Sequence, residues 1–314
     1  MDSRAAGTGR QQTLRHAISC SGTGLHSGAT VHMTLAPAST DSGIVFRRVD
    51  LGENAPPIPA TIDNVIDDRL CTTIGFRGGP SVVTIEHLMA ALRGTGIDNV
   101  EIAIDGPEVP VMDGSAAPFV FLLECAGLVA QLASRRAIEV LRPVGVAKDG
   151  AEASLTPGLN FSAGCEIDFA SRAIGRQSLT VSLVNGTFKS DIARARTFGF
   201  AHEVDRLRAA GLARGGSLDN AVVVAGDRVL NDDGLRWTDE FVRHKILDSI
   251  GDLYLAGAPI IGRFHGRRSG HALNHLLVRT LLADRGAWRW TTESSVEIAA
   301  GATPAAAAAA PATL

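Results

Sequence analysis

Phe241-Val242-Arg243-His244-Lys245-Ile246-Leu247-Asp248-Ser249-Ile250-Gly251-Asp252-Leu253-Tyr254-Leu255 decides how the chain is read. At about 100° per residue, Ile246, Leu247, Ile250, Leu253 and Tyr254 share one broad apolar arc. His244, Asp248, Gly251 and Asp252 gather on the opposite side, so the spacing predicts a helix over 239–256. His244 and Asp248 are four apart; their side chains stack one turn above the other and can grip one ion. Taken alone, an H-x-x-x-D pair is a weak signal and more often marks a solvated polar face with a His–Asp hydrogen bond.

A second segment adds chemistry. Thr84-Ile85-Glu86-His87-Leu88-Met89-Ala90-Ala91-Leu92 places Ile85, Leu88, Met89 and Leu92 on one stripe, predicting a helix over 84–93. His87 points away from that stripe and Glu86 lies on its flank. Ala90, Ala91 and Gly94 floor the polar side, which lets another element approach closely. Two His and one carboxylate make an open zinc site with a spare position for water, and a neighbouring Glu can take the water's proton. A third cluster, Ser269-Gly270-His271-Ala272-Leu273-Asn274-His275, places His271 at a helix start, where an imidazole near working pH can act as an acid; the spacing equally fits His271 or His275 as a capping or surface residue and does not choose between them.

Outward from these helices the pattern alternates. Val31–Leu35 and Val100–Ile104 read as half-buried strands, with a further helix at 117–128. A new round begins at Arg135-Arg136: strands near 138–146 and 179–183, helices near 202–210 and 239–256. This is an α+β chain in two halves, 1–134 and 135–300, followed by an Ala/Pro-rich tail at 301–314 expected to be disordered. Gly22-Thr23-Gly24-Leu25-His26-Ser27-Gly28 has the spacing G-x-G-x-x-x-G and runs into a strand, so it reads as a hairpin turn and not a dinucleotide loop.

Five motifs in one order carry a family resemblance: Thr84–Leu88, Met112-Asp113-Gly114-Ser115-Ala116-Ala117-Pro118-Phe119, Arg194-Ala195-Arg196-Thr197-Phe198-Gly199-Phe200, Phe241–Asp248 and Ser269–Asn274. Over roughly residues 13 to 292 the chain resembles the UDP-3-O-acyl-N-acetylglucosamine deacetylases, zinc amidases of the committed step of bacterial lipid A biosynthesis. The resemblance implies two similar layered α/β-sandwich halves with small inserts and an active site in the cleft between them. It makes His87, His244 and Asp248 the ligands of Zn2+, a site that Fe2+ can also occupy. It makes Glu86 the general base on the attacking water. His271 becomes the acid or electrostatic stabiliser, with Asp252 orienting and supporting its cation. Thr197 donates its hydroxyl to the oxyanion and Lys245 holds the substrate near the metal.

An acylated UDP-sugar makes a further demand. Phe198–Val223 supplies Phe198, Phe200, Val204, Leu207, Leu218, Ala221 and Val223 for an acyl-chain groove, although the same pattern fits a strand–helix–strand unit burying its own core. Arg268 is expected to meet the diphosphate. The chain departs from the family at Ala170-Ser171-Arg172-Ala173, where a polar-His-Pro run is usual, so the uridine contacts there are not carried over. His275 receives no role.

The gross features agree. A net charge of -3 and pI near 6.3 leave no nucleic-acid footprint. Cys20, Cys71, Cys125 and Cys165 are scattered, which fits reduced thiols and argues against a sulfur zinc site. Residues 1–10 carry no apolar run and no stretch approaches a membrane span, so the expectation is a cytoplasmic monomer touching the inner-membrane surface only transiently. Two other readings stay open: a zinc hydrolase of a smaller substrate, which needs no apolar 198–223 segment, and a metal-stabilised binding protein, in which Glu86 is dispensable.

Overall fold

The computed structural model describes residues 9–292 apart from Asn185; the expected tail at 301–314 lies outside the described residues. The fold is α+β. A five-stranded sheet runs in the order Ile18–Thr23, Thr30–Pro37, Val100–Ile104, Ile44–Arg48, Ile58–Pro59. Its neighbours are antiparallel except for Ile44–Arg48 and Val100–Ile104, which are parallel. A parallel pair needs a crossover, and here it contains helix α1, Glu86–Thr95. Helix α2, Ala117–Ala126, packs on α1.

The second sheet has seven strands built around Ile260–Arg267. That strand pairs antiparallel with Ala151–Thr156 and parallel with both Arg136–Val140 and Phe161–Asp168. Its crossover carries helix α3, Ala201–Ala209, and helix α4, Glu240–Tyr254. Helix α5, His271–Ala283, follows and packs on Val144–Lys148 and on α4. Each sheet therefore contains parallel pairing, and the crossovers that this requires bring α1 and α4 to the middle of the molecule. There α1 and α4 pack against each other.

The contact between α1 and α4 is close because the sequence removes side chains from it. A Cβ on Gly251 would stand 2.1 Å from the Glu86 carbonyl oxygen. Ala90 and Ala91 are fully buried in the same region. The small-residue floor expected on α1 thus meets a glycine on α4. One hydrophobic core runs through both layers, from Val31, Phe46 and Ile102 to Ile246, Phe264 and Leu277.

Several boundaries differ from expectation. The strand anticipated over 138–146 is two strands, Arg136–Val140 and Val144–Lys148, interrupted at Pro143, which has no N–H for a ladder. Helix α1 starts two residues late because Thr84 adopts φ 60°, and it ends at Gly96 with φ 80°, whose N–H closes onto Arg93. Helix α2 stops before Gly127, at φ 71°. The Gly22–Gly28 segment is the hairpin connection between Ile18–Thr23 and Thr30–Pro37, as expected. Segment 198–223 is strand, helix, strand, with Phe198–Phe200 parallel to Val222–Ala225.

Candidate active site

The polar faces of α1 and α4 are not solvated; they face each other. His87, His244 and Asp248 are each about 3 % exposed. Their ligand atoms all lie within 4.8 Å of one another. His244 donates its Nδ1–H to the Ala195 carbonyl at 3.0 Å, which leaves Nε2 directed at Asp248 Oδ1, 3.2 Å away. His87 Nε2 stands 3.7 Å from the same oxygen. Burial pushes His244 down to about 4, so its ring is neutral and its lone pair is free at neutral pH.

Asp248 Oδ1 is buried with no hydrogen-bond donor, although two imidazole nitrogens surround it. Its other oxygen accepts from Lys245 Nζ at 2.7 Å. Burial opposes the charge of Asp248, yet His244 and Lys245 hold its carboxyl well below the usual carboxylate range. An anionic oxygen without a donor, between two imidazole nitrogens, fits a divalent cation that accepts two His and one carboxylate. Lys245 itself stays charged, because Asp248 outweighs its burial.

Glu86 flanks this cluster from the first turn of α1. It is buried, and Oε2 accepts the Thr72 N–H at 3.0 Å. Burial raises its carboxyl above the ordinary value, against the pull of His271 and His87. Across the cavity His271 Nδ1 lies 2.9 Å from Asp252 Oδ2, at the start of α5. Burial works against its cation, but Asp252 more than compensates and His271 rises to about 9. Asp252 is wholly buried and also accepts the Thr72 hydroxyl at 2.6 Å and the Asn274 amide at 2.9 Å.

Thr197 is placed by backbone bonds: its N–H donates to Gly114 at 2.7 Å and its carbonyl accepts from Val222 at 2.8 Å. The glycine is required there, since a Cβ on Gly114 would lie 2.1 Å from the Asn220 carbonyl oxygen. Thr84, Met112 and Arg268 are non-glycine residues at φ 60°, 55° and 53°, and each falls within three residues of a motif residue. Backbone strain of this kind collects where side chains must be aimed.

A cavity of ≈ 520 Å³ joins these groups to the 198–223 unit. Glu86, His87, Thr197, His244, Lys245, Asp248 and His271 stand at one end. Phe198, Val204, Leu207, Leu218, Ala221 and Val223 continue the wall. Phe198 also backs the metal cluster, its ring 6.2 Å from that of His244 and edge-on to Phe241 at 5.0 Å. Asp252 sits behind His271 and off the wall. Arg268 is not brought to the cavity: its guanidinium is half exposed and pairs with Asp168.

Other residues of the site escape a sequence reading. Thr72 and the Ala195 carbonyl act through polar atoms that no periodicity marks. Leu25 and His26 reach the cavity from the hairpin turn, which Glu108 fixes by accepting the N–H groups of His26 and Ser27 and the Thr84 hydroxyl. His275, given no role above, bonds within the Asp252 cluster; its spacing of four from His271 was the available signal.

Two crossover helices presenting His₂Asp, a buried carboxylate beside them and a cationic imidazole opposite define a metal-dependent hydrolase site in an α+β fold. The family model for LpxC, UDP-3-O-acyl N-acetylglycosamine deacetylase, matches residues 11–283, and the chain belongs to that family of metal-dependent amide hydrolases. It is 49% identical over 282 residues to a UDP-3-O-acyl-N-acetylglucosamine deacetylase from Phenylobacterium zucineum, covering 90% of this chain and 96% of that one. It is 50% identical over 283 residues to the protein of that name from Acidithiobacillus ferrooxidans, covering 90% and 92%. With the Myxococcus xanthus protein the identity is 51% over 274 residues, covering 87% of each.

Proposed function

We propose that the chain hydrolyses the N-acetyl group of UDP-3-O-acyl-N-acetylglucosamine with zinc as its cofactor, iron(II) being an acceptable substitute. The products are UDP-3-O-acyl-glucosamine and acetate, in lipid A biosynthesis. The observation that carries this reading is the donorless Asp248 Oδ1 between two imidazoles, at the head of an apolar groove. His87, His244 and Asp248 hold the ion, drawn from the half at 1–134 and the half at 135–300. When bound, the ion polarises the acetamide carbonyl and lowers the pKa of water.

The chain's own groups then divide the proton work. Glu86 removes the proton of the attacking water as its oxygen bonds to the carbonyl carbon. Its raised proton affinity suits a base at neutral pH. The Thr197 hydroxyl donates to the oxyanion, held on a backbone clamped at both ends. His271, cationic at neutral pH, gives its proton to the nitrogen as the C–N bond breaks, since an amide nitrogen leaves poorly unless protonated. Asp252 orients His271. Lys245 neutralises the outer oxygen of Asp248 and meets the substrate from the cavity wall.

The acyl chain lies along Phe198, Leu207, Leu218, Ala221 and Val223. Arg268, exposed and outside the wall, is available only to the part of the substrate that projects from the mouth, where the diphosphate stands. Among the described residues no helix is long and apolar enough to cross a membrane. We place the enzyme in the cytoplasm as a monomer, touching the inner-membrane surface only in passing. The test is acetate release from UDP-3-O-acyl-N-acetylglucosamine by zinc-loaded and chelated protein. Release is expected only with zinc, and Glu86→Gln is expected to lose about 10²–10⁴-fold in turnover while keeping its metal. No release from folded, metallated protein would sink the proposal.

A further inference from the structure

His275 is a buried titratable group that the reaction above leaves unused; it is 1 % exposed. It lies one turn beyond His271 on α5, with ring centroids 6.4 Å apart. Its Nε2 stands 3.3 Å from Asp252 Oδ1 and 3.2 Å from the Thr72 hydroxyl. Its Nδ1 makes no hydrogen bond and faces Asp68 Oδ2 at 3.5 Å, a carboxylate with 36% side-chain exposure. Asp252 thus serves two imidazoles, His271 through Oδ2 and His275 through Oδ1, while Thr72 and Asn274 fill its remaining lone pairs.

We propose that His275 is a positioning residue for the acid: it shares the Asp252 carboxylate with His271, backed from the surface by Asp68, and so loosens the hold of His271 on its proton. The inference rests on His271 being the acid. Two imidazolium rings around one carboxylate oppose each other, because each takes part of the attraction that the other needs. The groups facing His275 are Asp252 from α4, Asp68 from the segment before Thr72, and His271 from its own helix. Those facing His271 are Asp252 and Asp248 from α4, Glu86 from α1, Asp68 from the segment before Thr72, and His275. Asp252 and Asp68 raise His275 against its burial and so favour its cation beside that of His271. With a like charge 6.4 Å away, His271 surrenders its proton to the leaving nitrogen more readily than Asp252 alone would allow.

The test compares wild type, His275→Asn and His275→Gln, all zinc-loaded. It reads the alkaline limb of kcat/KM for acetate release and the His271 titration followed by NMR of labelled histidine. In both variants the limb and the titration are expected to move up by about 0.5–1 pH unit, with KM little changed. A folded, metallated variant of His275 whose limb and titration stay at the wild-type positions overturns the inference. His271→Gln with wild-type turnover would instead overturn the role of His271 itself.

Discussion

Asp252 shows how much one buried side chain decides. It has no exposure, yet its carboxyl is held far below the usual range because two imidazoles outweigh its desolvation. Asp252→Asn leaves those imidazoles without their shared anion, and breaking a buried pair from one side costs about 3–5 kcal/mol. The sign with pH follows from His271. Its proton affinity rises on folding from an ordinary 6.5 to about 9. The stability it contributes is therefore fully present below about pH 6.5 and is lost as pH rises through about 9. Calorimetry of zinc-loaded protein should show the melting temperature falling across that window. In Asp252→Asn the fall should flatten on a lower baseline, and an unchanged slope would show that Asp252 does not hold the cation.

Among the elements, the meeting of α1 and α4 was half legible in the sequence. The apolar arcs of both helices, and the small residues under His87, announce amphipathic helices that accept a close neighbour. The neighbour's identity is not encoded in either arc, because a polar stripe reads the same whether it faces water or another polar stripe. Only the family motifs brought the two together. Gly251 makes this testable. In an isolated helix Gly→Ala gains about 0.8–1.0 kcal/mol. Here the added methyl would lie 2.1 Å from the Glu86 carbonyl oxygen, which is backbone and cannot step aside alone. Gly251→Ala should thus lower stability, and by moving His87 from His244 and Asp248 it should weaken zinc retention at least tenfold against a chelator. A variant with raised melting temperature and native zinc affinity would mean that the helices are not held by this contact.

For the molecule as a whole, the alternation of Val31–Leu35 and Val100–Ile104 and the hairpin at Gly22–Gly28 could be read in advance. Residue-by-residue patterns do not encode long-range pairings: Ile44–Arg48 beside Val100–Ile104, or Phe161–Asp168 beside Ile260–Arg267. Those two parallel pairs are what carry α1 and α4 inward. The consequence is that the proposed ligands come from two layers, His87 from one and His244 with Asp248 from the other. An ion bound there ties the layers together, and binding to the folded state alone adds about 2.7 kcal/mol at a hundredfold excess over Kd. For a chain of 314 residues that corresponds to roughly 4 °C in melting temperature. Chelation should lower the wild-type melting temperature by that amount and leave far-ultraviolet dichroism unchanged, since the hydrophobic core that joins the layers includes none of the three ligands. His87→Ala should melt at one temperature with or without chelator. If chelation costs the variant as much as the wild type, the stabilising ion sits elsewhere.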